Sequence, residues 1–258
     1  MLRKVMFGCL LCAGLAGSAS AQEKAMDLEV SAEFLSKYIW NGFDRIRDLG
    51  LDTGPVLQPK VSLGMGNTPL HATVGGSFVM NDDSELHETT YGVYVERYSS
   101  PLTRLGFGYT YYDDRIEPLP GTEDGDAHEI WAGLHSRNPG GMRTAVDVKY
   151  EMSARERYDS FFFASGEFAY MFPLIPPSGT GMGLDLEALT RILYNTGIES
   201  QGIETVRSGM SAWQMGLAAE LRAARVLVKP SLQYQVTLED SVNDENPLWG
   251  GISVAYTF

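Results

Sequence analysis

The chain has 258 residues, 44% of them hydrophobic and 21% charged, with a mean hydropathy of −0.13; it is long enough for one large domain and too polar for a helical membrane bundle. A formal net charge of −13 sets the electrostatics against nucleic-acid phosphates, so no nucleic-acid partner is expected. Thirteen Tyr, eleven Phe, four Trp and 28 Gly point instead to many strands.

Residues 1–21 read as a signal peptide. Arg3 and Lys4 form a basic start, residues 5–16 are apolar but too few to span a bilayer, and Ala19, Ser20 and Ala21 supply the small residues that precede cleavage. Cleavage before Gln22 removes both of those cations and no acid, leaving 18 basic against 33 acidic residues. Cys9 and Cys12 leave with the signal, so the exported part, residues 22–258, has no thiol, disulfide or Cys-ligated metal. The bulky Leu11 before Cys12 speaks against a lipoprotein signal.

From Gln22 onward the dominant pattern is alternation with period two, the strand period, in twelve segments. In the first, Leu28, Val30, Ala32 and Phe34 alternate with Asp27, Glu29, Ser31 and Glu33. The second (56–65) and third (70–80) are joined by the turn Gly66-Asn67-Thr68-Pro69. The fourth (89–98) aligns Tyr91, Val93 and Val95, the fifth (105–112) Leu105, Phe107, Tyr109 and Tyr111, and the sixth spans 129–135. In the seventh, Met142, Thr144, Val146, Val148, Tyr150 and Met152 oppose Arg143, Asp147, Lys149 and Glu151. The eighth (160–172) aligns Phe162, Ala164, Phe168, Tyr170 and Phe172, and the ninth (182–193) Met182, Leu184, Leu186 and Ala188. The tenth aligns Trp213 to Leu221, the eleventh Val228 to Leu238, and the twelfth Leu248, Ile252, Val254, Tyr256 and Phe258. Pro59 and Pro230 fall inside segments where each removes a ladder donor, which reads as a bulge or a strand end.

The connections alternate in kind. Residues 66–69, 99–104, 136–141, 173–181 and 222–225 are short and nearly free of acid, whereas 38–54, 81–88, 113–127, 153–159, 194–209 and 239–246 are longer or acidic. Up-and-down strands with both termini at one end require that alternation, and outer-membrane barrels show it. The expected fold is therefore all-β: a closed antiparallel up-and-down transmembrane β-barrel of twelve strands. Its apolar faces turn to lipid, because a soluble barrel of twelve strands does not readily pack so many Phe, Tyr and Leu inside. Tyr98, Tyr111, Phe172, Trp213, Tyr256 and Phe258 fall where interfacial girdles belong. The ending Ile252-x-Val254-x-Tyr256-x-Phe258 resembles the C-terminal signal of bacterial outer-membrane proteins, which implies recognition by the barrel-assembly machinery through Tyr256 and Phe258.

The segment Ser36-Lys37-Tyr38-Ile39-Trp40-Asn41-Gly42-Phe43, followed by Gly54-Pro55-Val56-Leu57-Gln58-Pro59 and, near the end, by Gly250-Gly251-Ile252-Ser253, resembles the TorF-type porin family of bacterial outer-membrane β-barrel proteins. The middle of the chain matches in pattern only. Where that family commonly has Arg before the first-loop Gly, this chain has Asn41. The resemblance implies a barrel and a pore with no established substrate.

With the apolar faces outward, the lumen-lining set comprises Asp27, Glu29, Glu33, Glu96, Glu129, Asp147, Glu151, Glu167, Asp185, Glu187 and Glu220, opposed by Lys60, Arg143, Lys149 and Lys229, with Arg222 beside them. Such a wall makes either a wet passage that prefers cations or a cross-linked ionic plug. Inward glycines such as Gly106, Gly108 and Gly133 leave space or permit bending. The expected function is a porin-like channel in the bacterial outer membrane for passive passage of small solutes, with no cofactor and no catalysis. Its partners are outer-membrane lipid, lipopolysaccharide and the solutes.

Two alternatives remain. A structural or binding barrel with a plugged lumen would use its acidic loops, Asp113, Asp114, Glu117, Glu123, Asp124 and Asp126, though their spacing lacks the regular ligand positions of a calcium loop. A rim-sited lipid hydrolase would need a Ser–His pair. Of the four histidines, His71 and His135 map to the periplasmic end and His87 to an acidic loop, leaving His128, with Ser160 on another rim.

Overall fold

The computed structural model describes residues 26–44, 54–66, 68–80, 86–116, 126–154, 160–176, 182–197, 206–243 and 245–258. The predicted signal segment and the acidic residues Glu117, Glu123 and Asp124 lie outside them, as do the side chains of His87 and Asp114. The strands are β1 (Asp27–Leu35), β2 (Ile39–Trp40), β3 (Phe43–Asp44), β4 (Val56–Gly64), β5 (Leu70–Val79), β6 (Leu86–Ser100), β7 (Thr103–Ile116), β8 (Ala127–Arg137), β9 (Met142–Ser153), β10 (Phe161–Ile175), β11 (Met182–Asn195), β12 (Gly209–Ala223), β13 (Val226–Thr237) and β14 (Leu248–Thr257). Twelve of them, β1 and β4 to β14, form one closed antiparallel barrel in which β1 pairs with both β14 and β4. The remaining two, β2 and β3, pair with each other inside the connection between β1 and β4.

Alternation decides which way each side chain faces. On β9, Met142, Val146 and Val148 are exposed while Ala145 and Glu151 are buried. On β12, Trp213, Leu217 and Leu221 are exposed while Gln214 and Glu220 are buried. Inverted burial of this kind, with carboxylates inside and large apolar groups outside, is what a hydrocarbon surround selects. Aromatic rings mark both edges of the outer band. Tyr98, Tyr170, Phe172, Tyr256 and Phe258 lie toward the short turns, and Tyr91, Tyr109, Tyr111, Tyr150, Phe162, Tyr194 and Trp213 toward the long loops. Strands β6, β10 and β12 have 15 residues each, more than the roughly 9–11 that cross a bilayer, so their ends stand beyond the apolar band.

Some expected boundaries shift. Residues 86–88 and 113–116 are paired as β6 and β7 rather than free loop, and β10 continues through Pro173 with a register shift before Ile175. The prolines are neither bulges nor strand ends. Pro59 keeps its place opposite Ala32 of β1, while the β4–β5 ladder skips from Leu57↔Phe78 to Lys60↔Gly75 without a change of register. Pro230 keeps its place opposite Ile252, and the β12–β13 ladder skips from Ala218↔Ser231 to Leu221↔Val228. In both cases the missing N–H opens a short gap on one side of the strand only.

Leu217, 55% exposed and midway along β12, tests the outward belt. Leu217→Arg is expected to lower folding stability in lipid vesicles by about 2–4 kcal/mol, read from reversible denaturant titration, because it puts a charge at the bilayer midplane.

Candidate functional site

The described first part of the connection from β1 to β4, up to Asp44, turns into the barrel mouth. Trp40 pairs with Phe43 around Asn41 and Gly42, whose φ values of 48° and 97° are the pair of positive dihedrals that a two-residue type I′ turn needs. Asn-Gly is the sequence best suited to it, which gives Asn41 a conformational role where an Arg would be strained. Phe43 is buried with Phe161, Phe163, Val206 and Val242, and Trp40 packs against this cluster. The rings of Trp40 and Phe43 meet Phe163 edge-on at centroid distances of 5.2 and 5.9 Å.

Two further anchors hold the hairpin. The Tyr38 hydroxyl donates to Glu88 Oε1 at 2.9 Å, and Ser77, itself receiving a bond from Gln58, donates to the same oxygen at 3.2 Å. On the far wall Gln235 Nε2 donates to the Gly42 carbonyl at 2.8 Å, while Gln214 donates to Gln235 Oε1 at 2.9 Å. At Gly42 a Cβ would lie 3.3 Å from Leu193 Cδ1, so glycine also lets the turn approach the wall. The long-loop end of the interior is thus apolar as well as ionised, with Leu35, Val56, Phe163, Leu193 and Trp249 buried there.

Beneath the hairpin lie two cavities. The upper, of about 360 Å³, is lined by Tyr38, Ile39 and Asn41 together with Asp147, Lys149, Gln214 and Trp249. The lower, of about 340 Å³, is lined by Arg143, Glu167, Glu187 and Lys229. Glu33, Arg191 and Gln233 line both.

The interior charges are mostly cross-linked. Arg143 lies 3.0 Å from Glu167 and 3.4 Å from Glu187, and Arg191 pairs with Glu167 from directly across the ladder. Lys229 lies 3.1 Å from Glu187 and 3.9 Å from Glu220, and Arg222 lies 3.2 Å from Asp185 and pairs with Glu220. Lys149 lies 3.2 Å from the buried Glu129, which faces Glu151 across the β8–β9 ladder. Nearer the short turns, Arg104 lies 3.0 Å from Glu96 and 3.0 Å from His135 Nδ1, and His135 Nε2 lies 2.8 Å from Asp147. An Arg can only donate, so His135 accepts at Nδ1 and donates Nε2–H to Asp147. A Cβ at Gly133 would sit 2.9 Å from His135 Nε2 and closer still to Asp147, so the glycine makes room for this pair.

Of the predicted lumen residues, Arg143, Glu167, Asp185, Glu187, Glu220 and Lys229 come together on the β9–β13 wall, and Glu96, Glu129, Asp147, Lys149 and Glu151 lie on β6, β8 and β9. Asp27 and Glu29 lie exposed toward the short-turn end of β1, Lys60 is exposed, and Glu33 is half-buried between the cavities. Among the described residues, Glu29, Glu33 and Lys60 make no ion pair. Sequence reasoning missed Arg104 and Arg191, whose inward parity was available from the alternation, and the hairpin, whose destination was not. Among the described residues no group of three or more His, Asp or Glu is arranged to hold a metal ion. At the outer rim His128 Nδ1 meets the Tyr109 hydroxyl at 2.7 Å, and no hydrogen bond joins His128 to Ser160.

No family model matches the sequence, and no curated protein does. Among solved structures the fold is similar to that of the NanC porin, at 8% identity and a TM-score of 0.54 over 90% of this chain and 100% of that one. The KdgM porin matches at 7% identity and 0.53 over 90% and 99%, and LpxR from Salmonella typhimurium at 9% and 0.52 over 90% and 100%. At these identities the likeness establishes the closed barrel fold of bacterial outer-membrane proteins.

Glu187, fully buried between Arg143 and Lys229, tests the ladder. Replacing both cations in Arg143→Met/Lys229→Met strands that carboxylate and is expected to cost about 3–5 kcal/mol in vesicle unfolding titrations. Adding Glu187→Gln is expected to recover a measurable part of the loss.

Proposed function

We propose that the protein is a passive channel of the bacterial outer membrane for small solutes, narrowed near its long-loop end by the β2–β3 hairpin and leaning toward cations. The observation that carries this reading is the pair of cavities meeting at Glu33, Arg191 and Gln233 inside a closed barrel. The cation preference is supported by Glu29 and Glu33, carboxylates without an ion pair, against Lys60 as the comparable cation. The ladder neutralises most other charges, so the preference is modest. Exposed Tyr256 and Phe258, whose rings meet edge-on at 4.7 Å, suit recognition of the last strand by the assembly machinery. Export through the signal segment and contact with lipopolysaccharide at the outer girdle belong to the same proposal. A hydrolase is disfavoured because His128, the rim candidate, is engaged by Tyr109 rather than by a nucleophile.

A plugged structural barrel is the second reading. It is favoured by the buried packing of Trp40 and Phe43 across the mouth.

Planar bilayers containing the folded mature protein separate the two. A channel gives discrete KCl conductance steps, and Glu33→Lys moves the reversal potential in a KCl gradient toward anions. A plug gives steps only after residues 38–44 are replaced by a Gly-Ser linker. Silence from both proteins refutes passage altogether.

A further inference from the structure

The interior carries a second ordered feature, on the wall opposite the charge ladder. In the hydrogen-bonded row that starts at Asp27, the first residue of β1, the successive partners are Gly64, His71, Tyr94, Gly108, Trp131, Lys149 and Phe163. Barrel strands tilt, so a row perpendicular to them climbs from one end of the lumen to the other. This one starts at the short-turn end and finishes on the third residue of β10, beneath the hairpin.

Its inward side chains are mostly rings. His71 and Tyr94 stack with centroids 4.7 Å apart and planes 7° apart, Tyr94 and Trp131 are 5.9 Å apart, and Phe163 carries Trp40 edge-on at the top. The indole of Trp131 lies across two glycines of β7. A Cβ at Gly106 would come within 2.7 Å of its Cζ3, and one at Gly108 within 2.5 Å of its Nε1. Both glycines point inward, so the ring is laid against the wall, yet His71, Tyr94 and Trp131 all remain partly exposed. The glycines at 106 and 108 are therefore a seat for the ring, not only a means of bending.

The polar groups at the edges of these rings are engaged: Glu96 with Arg104 and Glu129 with Lys149 as ion pairs, and Asp147 as the acceptor from neutral His135. An organic cation would call for unpaired carboxylates beside the rings, and an acidic sugar for unpaired cations. Arg104 and Lys149 are both paired, which counts against an acidic sugar; Glu29, which acts electrostatically on Tyr94, and Asp147 are not ion-paired, so an organic cation is the competing class, which competition with choline decides. Aromatic faces carry negative quadrupole density that attracts the weakly positive C–H face of a saturated ring, and paired donors and acceptors beside them suit in-plane hydroxyls.

We propose that this climbing row is a binding track for neutral oligosaccharides, with Tyr94 and Trp131 as its stacking platforms and the Glu96–Arg104 and His135–Asp147 pairs as its hydroxyl contacts. The proposal rests on the channel reading for its biological sense, but binding can be measured without conduction.

Linear neutral glucose hexamers are titrated calorimetrically into the folded mature protein in detergent, with galacturonate oligomers and choline as competing chemistries and KCl conductance measured in parallel. Trp131→Ala and Tyr94→Ala are each expected to weaken hexamer binding by about three- to tenfold. Trp131→Tyr restores part of it, and Trp213→Phe on the outer face leaves it unchanged. Gly108→Ala, which unseats the indole without removing it, weakens binding as well. Absence of hexamer binding in a protein that conducts KCl overturns the track and leaves the channel standing. Tighter binding of galacturonate or choline than of the hexamers overturns the neutral class. Trp131-dependent hexamer binding in a protein that never conducts supports the track and removes the channel.

Discussion

The structure depends on the ladder between β1 and β14. Its seven pairs, from Glu29↔Thr257 to Leu35↔Gly251, close the sheet on itself. Left open, that seam would present two rows of unpaired N–H and C=O groups to hydrocarbon, at several kcal/mol for each group. The closeness of the seam is visible at Gly251, where a Cβ would meet Leu35 Cδ2 at 2.6 Å and the Phe34 carbonyl at 2.9 Å. Once the sheet is closed, period-two alternation has a fixed meaning: each strand presents one face to the surround and one to an enclosed interior.

Closure sets the next problem, because it carries many ionised groups out of bulk water. The solution differs by wall. On β9 to β13, carboxylates and cations interleave so that Glu167 and Glu187 each meet two cations. On β5 to β8 the interior is served largely by rings and glycines, with Glu96 and Arg104 paired, Glu129 paired to Lys149, and Glu88 held by hydroxyls. A cross-linked wall resists rearrangement because moving one member leaves another buried and alone. The aromatic wall has no such lock, and its shape is fixed by packing against the backbone of β7.

Much of this was legible in the sequence, and the limit falls at a definite place. Which face a side chain occupies is a local property, so Met142 through Met152 against Arg143 through Glu151 disclosed both the strand and its orientation. Connection chemistry disclosed the two ends. Partners across the ladder depend on register, which no single segment carries, so the pairing of Glu167 with Arg191 and of Trp131 with Gly108 was invisible. Phe161-Phe162-Phe163 is apolar on both faces and gave no sign that Phe161 and Phe163 face inward to receive a hairpin. The hairpin itself was half legible: Asn41-Gly42 is a turn signal in any context, but nothing local says that the turn points into the barrel.

The inward course of that hairpin follows from where its anchors lie. Leu35 pairs directly with Val56, so the connection between β1 and β4 leaves and re-enters the wall at neighbouring points and is free to project like any long loop. Instead Tyr38 is tied to Glu88 on β6, Phe43 to Phe161 and Phe163 on β10, and the Gly42 carbonyl to Gln235 on β13. Attachments to three separate regions of the wall make the hairpin a crossbar over the lumen rather than a flap against one side. Its two-residue turn has little freedom once both φ values are committed, so this crossbar is defined by backbone. A constriction made of long charged side chains would yield to solutes by rotamer changes. In the proposed channel, one made of a pinned turn would exclude by size, and selection by chemistry would be left to the walls beneath it.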